Sequence, residues 1–206
     1  MKSLFSVRAA VAALLASSAL LSGCGALLLG GAAVGSVLVF TDRRTSGTQL
    51  EDQAIELKAT NRAREIVGDR GHVNATSYNR VVLLTGEVPS DADKTAVERS
   101  VSRVDNVKST VNELAVMGPT SMTARSNDTI LSSKVKATFV DAKDLHANAF
   151  KVISERGTVY LMGRVTDREA DRATELARSV SGVQRVVRVF EVITEAELAD
   201  LQPSKK

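Results

Sequence analysis

The chain has 206 residues, of which 44% are hydrophobic, 25% charged and 3% aromatic, a composition typical of one or two small globular domains and not of a disordered chain. The formal charge of +3 falls to 25 − 24 = +1 without Lys2 and Arg8, which lie in a segment predicted below to be removed. With two Tyr and no Trp, the chain lacks the basic surface and stacking aromatic residues of a nucleic-acid-binding protein. One Cys and two His exclude an internal disulfide and an ordinary Cys/His zinc site.

Residues 1–24 have the three parts of a secretory signal, which are a basic start, an apolar run from Ala9 to Leu21, and small residues in front of Cys24. The apolar run is too short for a membrane-spanning helix. The sequence Leu-Ser-Gly before Cys24 resembles the bacterial lipobox, where cleavage leaves an acylated cysteine. We therefore predict a lipoprotein signal peptide at 1–23 and lipidation of Cys24, with a signal followed by an unmodified thiol as the alternative.

The segment after Cys24 is interpreted as a tether. In diderm bacteria an aspartate just after the lipid cysteine retains lipoproteins at the inner membrane, so its absence here resembles an outer-membrane address, with the mature chain in the periplasm. Residues 25–40 carry no charge, but they are fewer than the roughly twenty needed to span hydrocarbon. We interpret 24–47 as an acylated N-terminus and an apolar tether that lies along the membrane, and a strand packed on the domains remains the alternative.

The remainder of the chain repeats itself. Val82–Val88 matches Val159–Val165 in sequence, and each copy predicts the element order α-β-β-α-β. The sequence therefore predicts an α+β fold of two tandem modules, each a three-stranded mixed sheet with two helices on one face. The expected boundaries are a first module at 48–117, a linker at 118–125, a second module at 126–193, and a tail at 194–206 that is a frayed helix or disordered.

Turns and glycines complete the prediction for each module. Hairpin turns are expected at Tyr78-Asn79 and at Arg156-Gly157, because Asn and Gly tolerate positive φ. Gly86 and Gly163 stand where a strand would favour a side chain, which predicts a bend or the close approach of a helix. The first helices are expected at 50–67 and 128–144, and the closing strands at 110–116 and 186–193.

Three stretches resemble the BON domain, which occurs in pairs in periplasmic proteins of Gram-negative bacteria. They are residues 41–49 (TDRRTSGTQ), residues 126–129 (SNDT) and residues 159–170 (VYLMGRVTDREA). The resemblance implies a non-enzymatic protein without a cofactor, which supports outer-membrane integrity and is linked functionally to the barrel-assembly machinery. It also implies that the first helix of the second module binds anionic phospholipid.

The residues of that helix are compatible with a lipid surface. Leu131, Val135 and Phe139 recur at helical spacing and should face the sheet. On another side, the apolar Ile130 stands near two lysines, so it could enter the acyl chains while ammonium groups meet phosphates. The predicted phospholipid-binding residues are Ile130, Lys134, Lys136 and Thr138. In the relatives that the chain resembles, a tryptophan stands in place of Ile130, so we expect weaker binding here; alternatively, Ile130 packs under the linker.

The net charges of the two modules also favour lipid contact by the second module. Residues 48–117 have 9 basic and 11 acidic side chains, whereas residues 126–193 have 11 and 9. At roughly 1 kcal/mol per basic residue near an anionic surface, this difference favours approach of the second module to lipid. Ordinary scatter of surface charge is the alternative.

No catalytic constellation is evident. His72 and His146 lack a nucleophile in a recognisable motif and are interpreted as surface or loop residues. The acidic residues concentrate at helix starts, where carboxylates favour the helix dipole. Besides lipid binding, two functions remain open: a periplasmic holdase or assembly factor for outer-membrane barrels, using apolar patches or sheet edges of the first module, and a structural spacer between envelope layers.

Overall fold

The structure is a computed structural model that describes residues 42–201. Cys24 and residues 25–40 lie outside this range, so lipidation and this part of the tether stay predictions. The prediction that the tether extends to residue 47 was wrong, because Arg43 and Arg44 form ion pairs with the modules and the first helix begins at Ser46. Residues 42–201 form one compact unit. Across residues 42–201, no helix combines the length and apolarity needed to cross a bilayer.

The first module contains a mixed sheet covered by two helices. Its elements are α1 (Ser46–Val67), β1 (His72–Tyr78), β2 (Val81–Val88), α2 (Asp91–Val101), β3 (Ser109–Asn112) and β4 (Ala115–Val116). β1 is antiparallel to β2, and β3 and β4 are both parallel to it. The closing strand predicted at 110–116 is thus broken in two. The break arises because the Asn112 side chain accepts a hydrogen bond from the Leu114 amide at 3.2 Å, while the Glu113 amide bonds the Leu84 carbonyl.

The second module repeats this order with three strands. Its elements are α3 (Met122–Asp141), β5 (Phe150–Glu155), β6 (Thr158–Val165), α4 (Asp167–Ser179) and β7 (Arg185–Val192), followed by α5 (Glu195–Leu201). The predicted α+β fold is confirmed. α3 begins inside the predicted linker, because the Ser121 hydroxyl caps it by accepting from the Ala124 amide. The tail contains the short helix α5, whose Leu198 is buried.

Each module has its own core between its helices and one face of its sheet. In the second module, Leu131, Val135 and Phe139 of α3 are buried, which confirms that this side faces the sheet. In the first module, α1 buries Ile55 and Ala59 in the same way. The spacing of these residues along one helix side accounts for the packing of each first helix.

The other faces of the two sheets pack against each other. Tyr78 and Leu83 of the first sheet form one buried cluster with Tyr160 and Met162 of the second. The compact unit therefore has four layers, in the order α1 with α2, first sheet, second sheet, and α3 with α4. The central strands β2 and β6 are consequently buried on both faces.

A buried aspartate holds the hairpin turn of each module. Asp52 accepts hydrogen bonds from the amides of Asn79 and Arg80, both at 2.8 Å, and Asp128 binds the turn at Arg156-Gly157 in the same way. Burial alone would raise the pKa of Asp52, but these amides and two side-chain donors together hold it below its usual value. The positive φ angles fall on Asn79 and Arg80, so the prediction of Tyr78-Asn79 was wrong by one residue.

Close approach of backbone explains the two strand glycines. A Cβ at Gly86, whose φ is +111°, would lie 2.0 Å from the His72 carbonyl oxygen, and a Cβ at Gly163 would lie 2.5 Å from that of Ala149. The approaching backbone is the first residue of β1 at Gly86 and the end of the short 3-10 helix Ala147–Ala149 at Gly163, so the expected close approach of a helix was wrong for Gly86 only.

Candidate functional site

The outer side of α3 exposes apolar residues along most of its length. Met122, Ile130 and Val140 are 73%, 54% and 70% exposed. On an ideal helix the three fall within an arc of about 80°. Ile130 is therefore open to solvent, which disagrees with packing under the linker. We call this surface the α3 arc.

Two lysines stand on either side of the α3 arc. Lys134 and Lys136 are exposed, and on an ideal helix each lies about 40° beyond one edge of the arc. Among the described residues, neither takes part in a salt bridge, whereas the lysines at 58 and 151 pair with Asp105 and Glu56. The ammonium groups beside the arc are thus available to external anions.

A groove of about 370 Å³ runs beside the arc, between α3 and the loop that follows α4. Ile130 and Lys134 contribute to its wall, together with the polar side chains of Asn127, Ser181 and Gln184. The groove offers an apolar wall, the cations Lys134 and Arg156, the Asp128 carboxylate and several neutral hydrogen-bonding groups in a small space.

The structure separates the predicted site residues into two sets. Ile130 and Lys134 share the groove, whereas Lys136 faces solvent beyond the other edge of the arc. Thr138 is half-buried, and its hydroxyl donates a hydrogen bond to the Lys134 carbonyl at 3.0 Å, so it is less available to a ligand. Within residues 42–201, no group of three His, Cys, Asp or Glu side chains is placed to hold a metal ion.

The region in front of α1 contains a contact that sequence reasoning missed. The Arg43 guanidinium donates two hydrogen bonds of 2.7 Å to the Glu169 carboxylate and a third, of 2.8 Å, to the Arg164 carbonyl. Arg44 pairs with Asp52 and lies over the Tyr78 ring, 4.1 Å from its centroid. The residues at 43 and 44 therefore connect the second module to the first.

A buried polar cluster also joins the modules. The Glu87 carboxylate is fully buried and accepts a 2.8 Å hydrogen bond from Arg156 of the second module. Burial and the Glu87 charge raise the pKa of nearby Glu155. His72, expected on the surface, lies half-buried 4.0 Å from Glu87, and burial together with Arg125 lowers its pKa.

Comparison with known proteins identifies the repeated unit. The BON domain pattern matches residues 56–118 and 127–194, which are the two modules. The chain belongs to the BON domain family. The two BON modules follow one another and are similar in sequence and fold, as the repeat in the sequence indicated.

Two curated relatives share this organisation over most of their length. The outer membrane lipoprotein DolP of Haemophilus influenzae is 39% identical over 89% of this chain and 95% of its own. The 21 kDa hemolysin of Actinobacillus pleuropneumoniae is 28% identical over 74% of this chain and 79% of its own. Among solved structures, CdsD of the Chlamydia trachomatis type III secretion system is 12% identical over 73% of this chain and 98% of its own, with a TM-score of 0.30.

The first BON module repeats the apolar part of the α3 arc but not its unpaired lysines. When Asp52 is aligned with Asp128, Ala54 takes the place of Ile130, and the lysine equivalent to Lys134 is engaged by an aspartate. α1 exposes Leu50 and Leu57, which in this alignment fall within the same arc of the helix surface. The combination of apolar arc and unpaired lysines therefore distinguishes the second BON module.

Proposed function

We propose that this protein is a non-enzymatic outer-membrane lipoprotein, anchored through Cys24 and facing the periplasm, whose second BON module binds anionic phospholipid and supports envelope integrity. Similarity to DolP, named as an outer membrane lipoprotein, supports the location. The observation that carries the lipid-binding function is the α3 arc between two lysines without salt bridges. The link to the barrel-assembly machinery stays a prediction from the family resemblance.

Charge should contribute more to this binding than apolar insertion. Two lysines near an anionic surface contribute about 2 kcal/mol together, equal to about 30-fold in affinity. Complete burial of an Ile side chain contributes about 2 kcal/mol, but Ile130 is already nearly half-covered, so its insertion adds about 1 kcal/mol. We therefore expect weak, reversible and salt-sensitive contact, with lasting attachment supplied by acylation at Cys24.

The test is co-sedimentation of residues 41–206 with lipid vesicles. This part of the chain lacks Cys24 and contains both cores, so no acyl chain contributes to binding. Vesicles of phosphatidylcholine alone are compared with vesicles containing one-third phosphatidylglycerol. The wild type is expected to sediment with the anionic vesicles only, and to be released as ionic strength rises.

Matched variants assign the binding to the α3 arc. Replacing both Lys134 and Lys136 by Gln should weaken binding about 30-fold, and Ile130→Glu should abolish it. Leu57→Glu is the control, because Leu57 is similarly exposed (65%) but lies on α1. Equal losses in Leu57→Glu and Ile130→Glu, or no wild-type binding, would contradict lipid binding by α3.

A further inference from the structure

The two long sides of the sheet sandwich differ in the burial of their edge strands, since β1 and β5 contain buried residues and β3 and β7 contain none. Along one side, β1 and β5 are joined across the modules. Asn74 donates to Glu155 at 3.3 Å, and Lys151 donates to the Ser77 carbonyl at 3.2 Å. Backbone and side-chain groups on this side thus find partners within the compact unit.

The other side is formed by β3 and β7, and side chains also join the modules there, through Arg185 with Glu113 and Asn79 with Glu191. Within residues 42–201, β3 pairs only with β2, and β7 pairs only with β6. None of the eight residues of β7 is buried, and none of the four residues of β3 is, whereas six of the eight residues of β6 are buried. The outer edges of β3 and β7 therefore carry backbone amides and carbonyls that no strand of residues 42–201 pairs.

A groove of about 400 Å³ lies between these two edges. Its wall is mainly apolar, because the two sheet faces that pack against each other are only partly covered at this point. Charged residues from both modules accompany the apolar ones. The lining includes Tyr78, Val81, Val111 and Val189 together with the charged residues Lys108, Arg188 and Glu191. Arg188 pairs with Asp171 of α4 and Glu191 pairs with Arg164, whereas Lys108 has no salt bridge among the described residues.

We propose that the side formed by β3 and β7 binds an extended polypeptide segment of another protein by strand addition to β7. An edge strand supplies backbone hydrogen bonds, and specificity comes from pockets that accept alternate side chains. β7 is favoured over β3 because it is twice as long. The ligand is an extended segment with apolar residues at every second position, which enter the groove, and a carboxylate, which Lys108 favours.

This surface is separate from the proposed lipid site. α3 packs on β5, which lies at the opposite edge of the second sheet from β7. Lipid bound at the α3 arc would leave β7 accessible. The assignment differs from the expectation that a client would use the first module, because the longer free edge belongs to the second.

The first test uses a ten-residue peptide of alternating valine and threonine with a free C-terminal carboxylate, added to isotope-labelled residues 41–206 and followed by NMR. Strand addition predicts shifted amide signals in β7 and β3. Two further peptides, N-methylated at odd or at even amides, separate backbone pairing from apolar contact, because a strand bonds its neighbour through alternate amides. One of the two methylated peptides is expected to bind with at least tenfold lower affinity than the other.

A variant supplies the second test. Val189→Lys should reduce peptide affinity at least tenfold, whereas Val140→Lys, at an exposed valine of α3, should leave it unchanged. The comparison of the two methylated peptides uses the wild-type protein, so its result does not depend on whether Val189→Lys folds. Equal binding of the two methylated peptides, or shifts confined to α1 or α3, would overturn the proposal, as would no binding of the unmodified peptide.

Discussion

The ion pair between Arg43 and Glu169 gives the most sharply defined prediction. The two side chains are 8% and 1% exposed. Replacing Arg43 by Ala leaves a buried carboxylate whose remaining hydrogen bond comes from the Thr166 amide at 3.1 Å. Breaking a buried pair from one side costs about 3–5 kcal/mol. Because the hydrogen bond from the Thr166 amide persists, we expect a loss at the lower end of this range, about 3 kcal/mol in the free energy of unfolding.

Urea and thermal unfolding followed by circular dichroism measure this change. For a unit of this size, about 3 kcal/mol corresponds to a decrease in Tm of about 6–12 °C. Arg188→Ala is the matched control. Its partner Asp171 is also 2.8 Å away, but the two side chains are 46% and 69% exposed, so the expected loss is below about 0.5 kcal/mol.

The pH dependence of the same variant tests the cause. Burial would raise the pKa of Glu169, but hydrogen bonds from Arg43 and the Thr166 amide hold it below its usual value. A carboxyl whose pKa is lowered by folding stabilises the protein above its unfolded pKa, and this stabilisation is lost as pH falls through the folded pKa. The difference between wild type and Arg43→Ala should therefore be largest at neutral pH and shrink below about pH 4. A loss equal to that of Arg188→Ala, or one independent of pH, would refute this reasoning.

Three further predictions concern single residues. Gly86→Ala should destabilise the fold by about 3 kcal/mol or more in urea unfolding, because the new methyl group meets the His72 carbonyl and φ is +111°. Arg80→Gly should raise the free energy of unfolding, measured in urea, by about 0.5 kcal/mol. The change relieves a backbone φ of 66°, and this gain exceeds the entropic cost of introducing glycine. Glu155→Gln should stabilise at pH 7 but not below about pH 4, because burial and Glu87 raise the Glu155 pKa, and stability is then lost as pH rises through the folded value.

The internal repeat made the element order and the helix-facing core predictable, because alternation at Val82 and Leu84 and helical spacing in α3 are local signals. The packing of the two sheets was not predicted, although a signal existed. Leu83 and Tyr160 occupy the opposite phase of their strands and are also large and apolar. A strand apolar in both phases indicates burial on both faces, whereas only one phase was interpreted.

The candidate site was only partly predictable. The apolar and basic residues of α3 lie within a few positions of one another, so their shared surface follows from helix geometry. The contact of Arg43 with Glu169 joins residues 126 positions apart, and neither residue type indicates its partner. Burial of a charged pair at that separation depends on how the modules pack, which no local pattern contains.

In the four-layer arrangement, the second BON module keeps both proposed surfaces accessible. Its sheet uses one face for its own helices and the other for the first module, which leaves the outer side of α3 and the free edge of β7 exposed. The first module completes the unit by covering Tyr160 and Met162. Arg43 then connects Glu169 to the chain segment that precedes α1. We therefore expect lipid contact at the α3 arc, peptide binding at β7, and contact with the segment before α1 at Glu169. These are different places on one module, so the three contacts need not compete.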